Sequence, residues 1–214
     1  MASAAEPGRD CPLCPRLVAF RKQSRKAKPD WHNAPVASFG ARDARLLIVG
    51  LAPGLRGANR TGRPFTGDYS GTLLYETLIK SGFARGSYDA RPDDSLELVD
   101  ARIANAVNCV PPENKPTTEE IRTCNRFLAA TINRMPKLAA VVALGRIAHD
   151  AVLLAQKAKR ADMPFAHGAV HQLGPLTLFD SFHCSPLNTH TGRLTPKMFG
   201  AVFANVRAHL AKRT

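Results

Sequence analysis

RLLIVGL, residues 45–51, is the stretch on which the fold turns. Its apolar residues run on without a polar alternation, the pattern of a strand covered on both faces rather than half in water. A Gly-rich loop follows, then SGTLLYETLIKSG (70–82), where Ser70 is placed to cap a helix and Gly82 to end it. The same order recurs downstream. RIANAVNC (102–109) reads as a second strand and leads through VPPENKP into a helix from Thr117 to Met135. That helix opens on a capping box, Thr117 with Glu120, and carries Ile121, Cys124, Leu128, Ile132 and Met135 on one stripe. LAAVVALG (138–145) is the third strand, with a helix to about Lys157. LTLFDSF (176–182) is the fourth, and Thr195-Pro196 opens a last helix whose inner face is Phe199, Val202, Phe203, Val206 and Leu210. Strand, loop and helix in repetition predict a parallel sheet with helices on both sides. Ligands of such sheets bind beyond the carboxyl ends of the strands, which selects the loops 50–70, 108–116 and 183–195 for close reading.

Bulk properties narrow the field. The chain has 214 residues, enough for one domain over 1–214, and 44% of them are hydrophobic, which excludes wholesale disorder. Thirty Lys and Arg face 17 acids, a net charge of +13. Residues 1–44, rich in Pro, Arg and Lys, read as a basic arm wrapped over the surface, with Arg21, Lys22, Arg25, Lys26 and Lys28 adding to a field that attracts polyanions, nucleic acid above all. No apolar run approaches the roughly 20 residues of a membrane span. The start, MASAAEPGRD, lacks a secretory pattern, so the expected location is the cytoplasm. Five cysteines in a reducing compartment point to metal ligands or buried thiols instead of disulfides.

Three constellations carry chemistry. Cys11 and Cys14, in CPLC, share one turn; Cys109 ends a strand and Cys124 faces inward from the next helix, so four thiolates can converge on zinc or an iron–sulfur cluster. The wide second pair favours a cluster over a zinc ribbon, and ordinary core cysteines are the plain alternative. Cys184 is expected to pack. In GLAPGLRGANRTGRPFTGDYSG (50–71), neither nucleotide-binding Gly pattern is present. Phe65 and Asp68 there suit a flat polar ring, stacked on one and served by the other; equally, Phe65 could be core and Asp68 a helix-dipole partner. In HCSPLNTHTGRLTP (183–196), His183 sits at a strand's carboxyl end, a place from which to donate to developing negative charge. Arg60, Arg63, Lys115 and Arg193 lie in or beside these loops as candidate phosphate contacts.

Taken in order, GLAPGLRGANRTGRPFTGD, NAVNCVPPENKP and HCSPLNTHTGRLTP, with the four cysteines, resemble the uracil-DNA glycosylase superfamily, and most closely its family 5 iron–sulfur branch. The resemblance implies a three-layer α/β/α sandwich around a four-stranded parallel sheet. It implies that Cys11, Cys14, Cys109 and Cys124 bind a structural 4Fe–4S cluster, two of its ligands on the arm of residues 1–44. It implies flipping of a uracil nucleotide, or of hypoxanthine or ethenocytosine, out of double-stranded DNA and hydrolysis of its N-glycosidic bond. Phe65 would stack on the base, Asn105 would read its polar edge with Asn108 as competitor, and His183 would donate towards O2. Leu187, after Ser185-Pro186, would fill the gap in the duplex. Two departures stand out. Leu51 and Ala52 occupy the place where other branches position water with a polar side chain, leaving Asp68 for that task, and Cys184 replaces the usual Pro. A monomer associated with the nucleoid is expected. The competing readings are a non-catalytic iron–sulfur or zinc protein that binds nucleic acid, and a nucleotide-using α/β enzyme.

Overall fold

The computed structural model describes residues 6–213; the first five residues of the arm and Thr214 lie outside the described residues. The arm is the first departure from expectation. Pro15 opens a helix, α1 (Pro15–Ala27), in a first turn where its missing N–H is no loss. Arg16 reaches across to the main body and grips Glu120 with two hydrogen bonds, 2.8 and 2.7 Å. Leu17, Arg21 and Ser24 turn inward. Arg21 is therefore a buried side chain and not part of a basic surface. Residues 32–36 then lie against the short helix α2 (Ala58–Thr61), fastened by the Asn59–Asn33 side-chain pair at 2.9 Å.

The arm leaves through an edge strand, β1 (Phe39–Gly40), into β2 (Leu46–Gly50), the core of RLLIVGL, in which every residue is buried. After α2 comes α3 (Tyr69–Lys80). Its N-cap is Asp68, whose carboxylate accepts from the Gly71 N–H at 3.3 Å; Ser70 lies inside the helix, which corrects the expected cap. Gly82 does close the helix end, with φ +70°. A small ribbon, β3 (Ala84–Arg85) with β4 (Glu97–Leu98), precedes β5 (Ala101–Asn105), which stops four residues earlier than its apolar pattern suggested. Helix α4 (Thr118–Asn133) carries the expected capping box, Thr117 accepting from the Glu120 N–H at 3.2 Å and Glu120 accepting from the Thr117 N–H at 2.8 Å. Then follow β6 (Ala140–Leu144), α5 (Arg146–Ala155), β7 (Val170–Leu173), β8 (Leu176–Ser181), the short α6 (Pro186–His190) and α7 (Pro196–Ala211) with Thr195 as its N-cap.

The sheet has six strands, not four, in the order β1-β5-β2-β6-β8-β7. The four expected parallel strands form its centre, and the short β1 and β7 close its edges antiparallel. Helices α3 and α7 cover one face through Leu74, Leu78, Phe199, Phe203 and Val206; α4 and α5 cover the other through Leu128, Ile132, Ala151 and Val152. The result is the predicted three-layer α/β/α arrangement. Each fully buried Leu, Ile, Val or Phe of these layers contributes about 2 kcal/mol by leaving water, so the sandwich rigidly fixes the strand ends from which the site is built.

Arg63 helps hold the loop after β2, and here a sequence expectation is corrected. Its guanidinium is buried, lies over the rings of Phe39, Tyr75 and Tyr88, and meets Asp94 through two 2.7 Å hydrogen bonds. With its Nε also donating to the Thr66 hydroxyl at 2.7 Å and only 6% of the residue exposed, it is not placed to meet DNA. The pairing with Arg63 pulls the Asp94 carboxyl down to about 2. A depressed carboxyl stabilises the fold above its unfolded value and ceases to do so as pH falls towards the folded one. Asp94→Asn, which leaves a buried guanidinium half-matched, should cost about 3 kcal/mol in urea denaturation at pH 7. The deficit against the parent should narrow as pH approaches 2.

Candidate active site

Three strand ends meet at one cavity of about 830 Å³. The loop after β2 supplies Leu51 and Ala52, and further on Phe65 and Asp68. Asn105 comes from the end of β5, and His183 from just beyond β8. Glu113, Asn114, Lys115, Ser185 and Leu187 stand around the mouth. The structure thus brings together Phe65, Asp68, Asn105 and His183, the first and the last of them 118 positions apart in the chain.

Phe65 is the wall. It sits at φ +53°, a left-handed backbone that a large L-residue adopts only when surroundings enforce it. The enforcement is visible. The Tyr88 hydroxyl donates to the Phe65 carbonyl at 3.0 Å, the Tyr75 hydroxyl donates to the neighbouring Pro64 carbonyl at 2.6 Å, and a Cβ on Gly71 would overlap the Phe65 carbonyl. The ring ends up 6.0 Å from that of His183, the two planes 28° apart. Asn105 is buried beside it, its Oδ1 resting where a side chain on Gly50 would begin. Asn108, the competitor, faces away: its Nδ2 donates to the Val36 carbonyl at 3.0 Å and its Oδ1 accepts from the Cys124 thiol at 3.2 Å. Asn105 lines the cavity and Asn108 holds the arm.

Burial sets the two titratable groups. It pushes the His183 imidazole down to about 4, so the ring is neutral at neutral pH and donates through one nitrogen only. It pushes the Asp68 carboxyl up, against the lowering effect of the Gly71 and Ser70 amides. Asp68 packs against Gly57 and Gly54, where any larger residue would displace it. It therefore has both of the roles the sequence left open, helix cap and cavity carboxylate.

The remaining candidates divide. Leu187 is 74% exposed at the head of α6, and Ser185 is that helix's N-cap. Lys115 is exposed on the rim and pairs loosely with Glu113 at 3.4 Å. Arg60 is exposed and donates to the Arg56 carbonyl at 3.0 Å; Arg193 lies over the Phe182 ring at 4.4 Å. Cys184 is fully buried against the core and donates to the Ser70 carbonyl at 3.4 Å, as its packing role requires. Cys11, Cys14, Cys109 and Cys124 line a separate small pocket between α1 and α4, roofed by Leu17 and Phe127. As free thiols Cys109 and Cys124 are raised by burial to about 11 and about 12. Tyr69 on the cavity mouth, 5.3 Å from the His190 ring, and Tyr88 behind Phe65 were missed. Tyr69 follows directly on Asp68, a signal that was there to be read; Tyr88 lies 23 residues from Phe65 and gave none.

The cavity, with one aromatic wall, opens at the carboxyl ends of the parallel strands of a basic chain, the place where ligands of such sheets bind. Residues 37–207 match the family model of the uracil DNA glycosylase superfamily, and the chain belongs to that superfamily. It is 45% identical to the type-5 uracil-DNA glycosylase of Thermus thermophilus, covering 88% of this chain and 89% of that protein. It is 38% identical to the type-5 enzyme of Pyrobaculum aerophilum over 93% of this chain and 88% of the relative. With that of Mycobacterium tuberculosis it shares 40% identity over 92% of this chain and 77% of the relative.

The raised Asp68 carboxyl has a signed consequence. A carboxyl with a folded value above its unfolded one binds its proton more tightly when folded, so its ionisation opposes folding, and that cost grows as pH rises through the folded value. Asp68→Asn should leave the melting temperature at pH 7 unchanged or higher, the lost charge at the helix start offsetting part of the gain. Base excision by the same variant should fall by about 10²-fold, and the parent's acid limb, set above the ordinary Asp range, should vanish from its pH–rate profile.

Proposed function

We propose that this protein removes uracil from double-stranded DNA by hydrolysing the N-glycosidic bond of a nucleotide turned out of the helix. The observation that carries the reading is the meeting of Phe65, Asn105, His183 and Asp68 in one cavity at the strand ends. Phe65 stacks on the base and Asn105 hydrogen-bonds its amide edge. Neutral His183 donates to the oxygen on which charge develops as the bond breaks. Asp68, as the carboxylate, favours the sugar cation and guides water to it. No polar side chain at Leu51 or Ala52 competes for that water, and the same slot takes hypoxanthine or ethenocytosine as further substrates. Leu187 enters the gap in the duplex, Ser185 and the exposed Arg60, Lys115 and Arg193 meet phosphates, and Arg63 is withdrawn from that set. Residues 1–214 act as one domain, a monomer in the cytoplasm on nucleoid DNA.

The same proposal gives the four cysteines a 4Fe–4S cluster, and the geometry supports it. Zinc, about 2.3 Å from each of four sulfurs, would hold them about 3.8 Å apart. Among the described residues no three of these sulfurs form a ready-made site for a single ion, and the all-sulfur set lining the pocket is the soft donor set that an iron–sulfur core takes. When bound, the cluster supplies a cross-link between α1 and the β5–α4 connection, with no part in hydrolysis.

Incubation with uracil-containing duplex, then alkali, should give strand cleavage without added nucleotide. His183→Ala should slow single-turnover excision by about 10²-fold with duplex binding nearly intact; excision at the parent rate would remove His183 from the mechanism. Protein purified without oxygen should be brown and carry iron, and zinc in its place would refute the cluster.

A further inference from the structure

Arg21 is 4% exposed, inside the pocket that the four cysteines line. Its Nη2 donates to the Cys11 carbonyl at 2.9 Å and its Nη1 points at the Cys109 sulfur at 3.6 Å. Its Nε is buried with no partner. No carboxylate among the described residues stands within ion-pair distance of it; the acids of this region are used by Arg16, which takes Glu120, and by Arg25, which takes Asp10. Arg63, equally buried, shows what is missing, for there Asp94 supplies two oxygens at 2.7 Å. A guanidinium cannot shed its proton, so a buried one needs a compensating anion or it destabilises the fold. Asp10 acts on Arg21 only from a distance and is bonded to Arg25, so among the described residues the group within reach of the guanidinium that can supply negative charge is the Cys109 sulfur. Buried thiols are neutral; thiolates bound to a metal core form a unit with net negative charge.

We propose that Arg21 is the built-in counter-ion of the metal–thiolate group, with one N–H on the sulfur of Cys109. Arg21 is then a positioning residue for the cofactor and takes no part in base excision. It explains why α1 carries an inward arginine beside CPLC, and why the arm needs its metal: without it, a full positive charge is sealed into an apolar pocket. This inference rests on the metal-site reading above, though not on which metal the site holds.

The test uses the full-length protein with Arg21→Met, which keeps the bulk and loses the charge, and Arg21→Lys, which keeps the charge. Two quantities are read: the rate of metal loss to excess chelator, and the iron–thiolate stretching bands in the resonance Raman spectrum. Arg21→Met should lose metal about tenfold faster or more and shift the stretching bands, while Arg21→Lys should lie between it and the parent on both. If Arg21→Met does not accumulate, Arg21→Lys against the parent decides by the band shift. Parent-like loss and unshifted bands in Arg21→Met, or equal loss from Met and Lys, would overturn the proposal. A zinc-loaded preparation would refute the iron cluster alone, and the chelator measurement would still judge Arg21.

Discussion

Where β2 leaves the sheet, Gly50 has the Asn105 amide oxygen and the Phe65 ring each 2.6 Å from the point a Cβ would occupy. Real side chains do not tolerate such an approach, so the closeness of wall and floor depends on the absence of one methyl group. Around it the constraint spreads outward. Phe65 can reach Gly50 only with a left-handed backbone, which Tyr75, Tyr88 and Gly71 impose. Asp68 can turn inward only because Gly57 and Gly54 leave it space. Gly50, Gly54 and Gly57 are held to glycine by the side chains packed against them, and Gly62 and Gly67 by their left-handed backbone.

The arm is integrated by polar contacts of high specificity. Arg16 joins α1 to the capping box of α4 through Glu120, and its other N–H holds the Lys115 carbonyl at 2.9 Å on the cavity rim. Asn108 ties Val36 of the arm to Cys124. Cysteine pocket and strand-end cavity are therefore consecutive stations on the connection from β5 to α4. Order in one is order in the other.

Much of this was legible because the signals were local. RLLIVGL, the Thr117–Glu120 box and Thr195-Pro196 carry their structure within a few residues. The loops after β2, β5 and β8 had to hold the site once the sheet was parallel. What escaped the sequence was decided at a distance. Arg63 looks like a surface charge until Asp94, 31 residues on, is folded against it. Arg21 looks basic and solvated because its compensation is not a carboxylate in the chain. Helix α1 was masked by its lysines and arginines, although Pro15 stood at the right place to start it. The edge strands β1 and β7 span two and four residues, too short for an alternation to be recognised. Asn105 and Asn108 differ only in which side of the strand's end they occupy, and the end itself came four residues before the apolar pattern did.

The strand order has one more implication. Asn105 ends β5 and His183 follows β8, and β2 and β6 run between them. Three steps of about 4.8 Å separate those strand axes, about 14 Å in all. That span is dictated by interstrand amide–carbonyl pairing, so insertions or deletions in the surrounding connections leave the spacing of the two strand ends unchanged. Evolution varies what this slot admits by exchanging side chains along its lining, while the strand ends that carry them stay as fixed as the sheet beneath.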